Sequence, residues 1–168
     1  MRCVHVFPTK QSALGLAAAV VTLLTVTGSV AAVECGDVLT GVERLDDDLI
    51  CTTDPALTLS GGKLNLRGHR VICEGTIEGV VLDGDGAEIR NGAITGCQFA
   101  LVVEGAGNHL ITNLTASVPD PVLDDEEGAE GLRVSSDDNR LIRNRVLGGS
   151  NAIRINGAGN RVEGNLVH

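Results

Sequence analysis

Two arginines, Arg133 and Arg154, hold equivalent polar positions in the short alternating segments LRV and IRI. A guanidinium donates two parallel hydrogen bonds to a carboxylate, so arginines on neighbouring strands could hold the carboxylate of an acidic sugar. Acidic side chains occur near the same segments, and the candidate ligand-binding residues are Asp83, Glu104, Arg133, Arg154 and Asp138. The alternative is ordinary charge pairing between strands, which needs no ligand. No catalytic residue is identified.

A run of acidic residues precedes Arg133 in the segment VPDPVLDDEEGAEG, at residues 118–131. This connection is about ten residues longer than its equivalents, and long loops on rigid scaffolds are often functional. Carboxylate oxygens are the ligands that calcium prefers. We therefore consider a calcium site in this loop. The candidate ligands are Asp124, Asp125, Glu126 and Glu127, and Asp120 and Glu130 are the other acidic residues of the loop. A solvated acidic loop is the alternative, because no EF-hand spacing is present. No other cofactor is expected.

The elements that must position these residues repeat along the chain. Two columns share the spacing 21, 31 and 21: Leu82, Val103, Val134 and Ile155 in one, and Gly92, Asn113, Asn144 and Asn165 in the other. Apolar and polar residues alternate along the first column's segments, which is typical of strands with one buried face. Three short strands and three turns in about 21 residues leave no room for a helix. The sequence predicts an all-β parallel β-helix (solenoid) of about five coils.

Particular columns should point into this solenoid. We expect Leu110, Leu141 and Val162 to form one inward column, and Val103, Val134 and Ile155 to form another. Asparagines at inward bends stack on one another and satisfy turn amides, so Asn113, Asn144 and Asn165 are expected to be structural.

Strings such as GNHLITNLT, DNRLIRNRV and GNRVEGNLV resemble the coils of right-handed parallel β-helix proteins of the pectate-lyase-like superfold. The segments CGDVLT, LDDDLIC and LNLRGHRVI are similar to the start of secreted bacterial members. The resemblance covers most of residues 35–168 and implies the fold. It does not imply one activity, because this superfold includes lyases, hydrolases, epimerases and proteins without known chemistry. The chain lacks the Gly-His-Gly turn of polygalacturonase-like sites. Epimerase-like sites require a Tyr, and the chain contains none. These departures favour a protein that is not an enzyme.

The first 32 residues have the features of a signal peptide. Arg2 and Lys10 precede an apolar run from Ala13 to about Val26, and small residues follow at 30–32. A retained membrane anchor is the alternative. The remaining chain divides into an N-terminal edge, 33–60, and the solenoid coils, 61–168. We expect a secreted or periplasmic protein with no stable membrane insertion after signal cleavage.

Four cysteines remain after the signal segment, which is an even number in a chain expected to enter an oxidising compartment. Three pairings are possible. We favour Cys35 with Cys51 at the N-terminal edge, and Cys73 with Cys97 at nearly equal positions of neighbouring coils.

Charge limits the possible partners. Beyond residue 32, 11 Arg and Lys stand against 22 Asp and Glu, which disfavours nucleic acid and anionic lipid. This acidic balance also gives no help in binding a polyanionic polysaccharide unless a cation intervenes. We expect a protein that binds or processes acidic polysaccharide. The rival hypothesis is a structural or interaction module without ligand chemistry, or a truncated paralogue of a longer β-helix protein. No capping segment follows the last coil, so we also expect self-association through its apolar residues Ile153, Ile155, Val162 and Val167.

Overall fold

The computed structural model describes residues 32–75, 78–119 and 128–168. These ranges are all-β and contain no helix, and therefore no helix long and apolar enough to cross a membrane. The strands are β1 (Val38–Leu39), β2 (Val42–Arg44), β3 (Leu49–Cys51), β4 (Leu57–Ser60), β5 (Lys63–Asn65), β6 (Arg70–Cys73), β7 (Glu78–Asp83), β8 (Glu88–Thr95), β9 (Phe99–Val103), β10 (Leu110–Ser117), β11 (Glu130–Val134), β12 (Arg140–Ile142), β13 (Arg145–Leu147), β14 (Asn151–Ile155), β15 (Arg161–Glu163) and β16 (Leu166–Val167).

The strands form a parallel β-solenoid of about five turns with a period of about 22 residues, as the sequence predicts. The first sheet has the order β1-β4-β7-β9-β11-β14, and the remaining strands form the second sheet. The strands within both sheets pair in parallel, so each coil adds one layer to both sheets. The proposed signal peptide lies outside the described residues, apart from Ala32.

The first sheet confirms one predicted column. Leu82 pairs with Val103, which pairs with Val134 and then with Ile155, in the expected register. Val103 and Val134 are fully buried because β-branched side chains from successive coils pack against one another in the core. The column begins two coils earlier, at Leu39, which pairs with Leu59.

The first sheet bends near the start of its strands, where small residues face the core. A Cβ at Gly79 would lie 2.7 Å from Cys97 Sγ, and a Cβ at Gly131 would overlap Val146 Cγ1. Ala100, between them in the sheet, is fully buried. Because two consecutive residues face inward at this bend, the residue before them faces outward, and strict alternation does not hold there.

The second sheet corrects the other predicted column by one residue. Ile111, not Leu110, pairs with Leu141 and is fully buried, while Leu110 lies between Glu88 and Arg140. The cause is the turn before this strand: Val103 to His109 is one residue longer than Val134 to Asn139. The extra residue shifts everything that follows it within that coil.

The same shift corrects the asparagine column. Asn144 and Asn165 form the expected ladder, in which the Asn144 N–H donates to Asn165 Oδ1 at 2.8 Å. In the coil before, the Leu114 N–H donates to Asn144 Oδ1 at 3.0 Å, so Leu114 stands where Asn113 was expected. Asn113 is exposed and adopts a left-handed backbone conformation, with φ of 51°.

A second ladder, at the preceding turn, contains a histidine. The Asn139 N–H donates to Asn160 Oδ1, and the His109 N–H donates to Asn139 Oδ1, both at 2.9 Å. His109 is fully buried, and its Nδ1 accepts the Ala87 N–H at 3.0 Å. Its Nε2 therefore carries the proton and donates to the Glu104 carbonyl at 2.7 Å.

Both favoured disulfides are present. Cys35 is bonded to Cys51 with a Cα separation of 5.4 Å, and Cys73 to Cys97 with a Cα separation of 5.0 Å. Cys51, Cys73 and Cys97 belong to the main hydrophobic core, and Cys35 packs against it. The Cys73–Cys97 bond links neighbouring coils, whereas the Cys35–Cys51 bond joins the two ends of the first coil, and both limit fraying in the N-terminal half of the solenoid.

Candidate functional site

The candidate site lies on the outer face of the first sheet. Arg133 pairs with Arg154 in register, and the residues at the same position of the preceding coils are Val102 and Val81. Arg133 and Arg154 therefore stack one strand spacing apart, as the sequence predicts. Two like charges about 4.8 Å apart repel each other, and a nearby anion is needed to offset this repulsion.

Glu130 supplies that anion. Its carboxylate accepts a hydrogen bond from Arg133 Nε at 2.6 Å and another from Arg154 Nη1 at 3.2 Å. Glu130 is only 2% exposed. Burial acts to raise the pKa of its carboxyl group, but the hydrogen bonds and charges of Arg133 and Arg154 outweigh burial and lower the pKa.

Sequence reasoning grouped Glu130 with the acidic insertion and did not assign it to the arginines. The register of the strands could have indicated this contact, because Glu130 occupies the same strand position as Phe99 and Glu78. Because Gly131 faces the core at the bend, Glu130 lies on the outer face beside Arg133. Strict alternation counted from Val134 would have turned it inward.

An aromatic platform fixes the first arginine. The Cζ atom of Arg133 lies 3.6 Å from the centroid of the Phe99 ring, which is a cation–π contact. Phe99 packs with Val81 and Val102 in a hydrophobic cluster separate from the core. The Arg133 side chain is thus held by a ring on one side and a carboxylate on the other.

A second carboxylate near Arg133 is that of Glu78. Burial, together with the negative charges of Asp54 and Glu104, raises the pKa of Glu78, although Arg133 opposes them. We call the set Glu78, Phe99, Glu130, Arg133 and Arg154 the arginine–glutamate face. It combines one carboxyl group of raised pKa with one of lowered pKa on a rigid sheet.

The other predicted ligand-binding residues are not gathered here. Asp83 Oδ1 accepts the Gly84 N–H at 2.6 Å, so this carboxylate stabilises its own turn. Glu104 is exposed at the edge of the arginine–glutamate face and acts on Glu78 through its charge. Asp138 lies in the turn after the first sheet, beside Gly159, with a φ of 56°.

The calcium candidates Asp124, Asp125, Glu126 and Glu127 lie outside the described residues, as does Asp120. Within 32–75, 78–119 and 128–168, no group of three or more His, Cys, Asp or Glu side chains is arranged to hold a metal ion.

No family model, no curated protein and no solved structure matches this chain. The structure supports the resemblance to the pectate-lyase-like superfold at the level of a parallel β-solenoid.

Proposed function

We propose that this protein is an exported β-helix of the pectate-lyase-like kind that binds acidic polysaccharide through the arginine–glutamate face. The observation that carries the proposal is the preorganised pair Arg133 and Arg154, which share one carboxylate. Glu130 carries a single negative charge, so the trio keeps a net positive charge.

Donors remain for a ligand. Each guanidinium has five N–H groups, and Glu130 accepts one from Arg133 and one from Arg154. The Arg154 side chain is 52% exposed, so its remaining donors reach solvent. Arg133 is already ordered by Phe99, which reduces the entropy lost when a sugar carboxylate binds. A uronate is the ligand class that such donors recognise.

Export is the second part of the proposal. The apolar segment within residues 1–32 has signal-peptide features, and the disulfides Cys35–Cys51 and Cys73–Cys97 are compatible with an extracellular or periplasmic location. Detection of the processed chain outside the cytoplasm, beginning near Val33, tests this part.

The rival function is a structural or interaction module without ligand chemistry. Its supporting observation is that Glu130 already satisfies a donor of each arginine, which is how an ordinary structural ion pair is built. Glu78 and Glu104 add negative charge to the same surface and would repel a polyanion. Binding measurements separate the two hypotheses.

The test uses arginine-to-lysine variants. Alanine at Arg133 and Arg154 would leave the buried Glu130 without a counter-charge and destabilise the fold, whereas lysine keeps the charge and loses the planar donor fork. We expect the Arg133→Lys/Arg154→Lys protein to bind polygalacturonate about 1.5–3 kcal/mol more weakly, equivalent to one charged hydrogen bond.

The matched control is Arg67→Lys/Arg70→Lys, because both arginines form salt bridges on earlier coils, with Asp46 and Asp48. This control should bind like the wild type. No measurable binding of the wild-type protein to any uronic-acid polymer, with or without calcium, refutes the proposed function and favours the structural module.

A further inference from the structure

We infer that Arg140, Arg143 and Arg145 form a second contact for a polyanion, which we call the arginine corner. The ligand class, an acidic polysaccharide, rests on the proposed function, but the site is separate from the arginine–glutamate face. It belongs to the second sheet and to the bend between β12 and β13.

The first observation is the pattern of charge pairing. Beyond residue 32 the chain has 11 Arg and Lys, and eight form salt bridges with carboxylates: Arg44, Lys63, Arg67, Arg70, Arg90, Arg133, Arg154 and Arg161. The three without a salt bridge among the described residues are Arg140, Arg143 and Arg145. All three fall within six consecutive residues of a chain rich in carboxylates, so the absence of partners is concentrated in one place.

The second observation is accessibility. Arg140, Arg143 and Arg145 are all exposed. Arg140 has Arg161 as its register partner in the next coil, which adds a fourth guanidinium one strand spacing away. Glu163 acts on Arg140 through its charge, but its own hydrogen bond is with Arg161. The corner therefore keeps a surplus of positive charge.

The third observation is the backbone of Arg143. Its φ is 56°, a left-handed conformation that disfavours most side chains. At the same position of the neighbouring coils the chain uses residues that tolerate this conformation better: Asn91 (φ 60°), Asn113 (φ 51°) and Gly164 (φ 63°). Arginine costs stability here, and within 32–75, 78–119 and 128–168 it makes no salt bridge that would offset the cost. A ligand contact gives a reason for its presence.

The arrangement suits a repeating anion better than a single small one. The three arginines follow one another along a coil, and two to three residues separate neighbours, at most about 7–11 Å along the chain. A small anion requires donors that converge, whereas a polymer of uronate groups meets successive donors along its length. Nucleic acid also repeats its charge, and the net charge of −9 opposes any polyanion, so a DNA duplex is the rival ligand in the test.

The experiment measures binding of the disulfide-bonded protein to polygalacturonate at two salt concentrations, with neutral dextran and a short DNA duplex as comparison ligands. The variants are Arg143→Asn and the double variant Arg140→Gln/Arg145→Gln. The matched control is Arg67→Asn, because Arg67 is also left-handed, with φ of 53°, but is paired with Asp46.

We expect Arg143→Asn to weaken polygalacturonate binding roughly three- to tenfold and the double variant to weaken it more, with a smaller salt dependence in both. Arg143→Asn should melt at the same temperature as wild type or higher, because asparagine tolerates the left-handed backbone better. Arg67→Asn should leave affinity unchanged.

Distinct results overturn the inference. If Arg67→Asn weakens binding as much as Arg143→Asn, only net charge matters and the corner is not a site. If the corner variants bind like wild type while Arg133→Lys/Arg154→Lys does not, the proposed function stands and the corner fails. If wild type prefers the DNA duplex, the ligand class is wrong. If it binds no polyanion, both proposals fail together.

Discussion

Replacing Glu130 with glutamine should destabilise the protein in a pH-dependent way. Glu130 is buried and accepts one charged hydrogen bond from each of Arg133 and Arg154. The amide of glutamine keeps one acceptor oxygen but turns an NH2 group towards a guanidinium. One of the two charged hydrogen bonds is therefore lost, which costs about 1.5–3 kcal/mol of unfolding free energy at pH 7. For a domain of this size, that is roughly 5–12 °C in melting temperature.

The pH dependence follows from the lowered pKa of Glu130. A carboxyl group whose pKa is lower in the folded state stabilises the fold above its unfolded-state pKa, about 4.3, and this contribution disappears as the pH falls through the folded-state value. The difference in unfolding free energy between wild type and Glu130→Gln should be at its maximum at pH 7 and should shrink steadily below about pH 4.5.

Glu78 on the same face provides a comparison of opposite sign. Burial and the neighbouring acids Asp54 and Glu104 raise its pKa, so its charged form destabilises the fold at neutral pH. Glu78→Gln should therefore increase the unfolding free energy at pH 7. The gain should vanish as the pH falls below the unfolded-state pKa, where both proteins carry a neutral side chain.

Urea unfolding at pH 7, 5, 4 and 3, with the disulfides intact, measures both variants. If the unfolding free energy of Glu130→Gln lies below that of wild type by the same amount from pH 7 to pH 3, the reasoning is refuted, since the loss would not depend on the carboxylate charge. A stability loss for Glu78→Gln at pH 7 would show that this side chain makes a favourable contact rather than a costly charge.

Three further predictions concern the solenoid itself. Val134→Asp places an unpaired charge in the buried column between Val103 and Ile155 and should abolish cooperative thermal unfolding, whereas Ser135→Asp, one residue later and exposed, should change stability by less than about 0.5 kcal/mol. His109→Asn should keep most of the unfolding free energy, because asparagine already holds this ladder position at 139 and 160. His109→Ala leaves the Ala87 N–H and the Glu104 carbonyl unpaired. Chemical denaturation should show a loss of about 1–3 kcal/mol for each of these two groups. Val162 and Val167 are 45% and 51% exposed, so the chain of residues 33–168 should self-associate through its last coil in light scattering or lose hydrogen-exchange protection there first; a monomer whose last coil is as protected as the middle coils contradicts this expectation.

The sequence was sufficient for the fold because burial repeats with the coil. Val103, Val134 and Ile155 were placed correctly, since each recurs at the shared spacing and is followed by a polar residue. The error at Leu110 and Asn113 has a local cause. The string Asn108-His109-Leu110 resembles Asn139-Arg140-Leu141, but His109, not Asn108, occupies the ladder position of Asn139. A one-residue difference within a glycine-rich turn leaves no apolar marker, so the pattern alone could not reveal it.

The site was harder to predict because its key contact depends on a bend. Arg133 and Arg154 were placed correctly from their spacing. Glu130 was not assigned to them, since period-two counting reverses its direction, and only the inward Gly131 explains why it faces out. Phe99 was missed as a platform for the same reason: it precedes Ala100 at the same bend.

Charge pairing in this solenoid acts both within coils and between them, and the pairs between coils are the ones that the linear sequence conceals. Arg67 pairs with Asp46, Arg70 with Asp48, and Arg154 with Glu130, partners 21 to 24 residues apart. These three arginines find their carboxylates one coil away, whereas other arginines pair with a carboxylate two or three residues away in the sequence: Arg44, Arg90, Arg133 and Arg161. One coil before Arg143 lies Asn113 and one coil after it lies Gly164, and neither carries a charge. Its left-handed backbone and its missing partner become visible only when the coils are aligned in register. Within the described ranges Arg143 forms no salt bridge and its left-handed backbone costs energy, and these two observations together motivate the proposed contact with a polyanion.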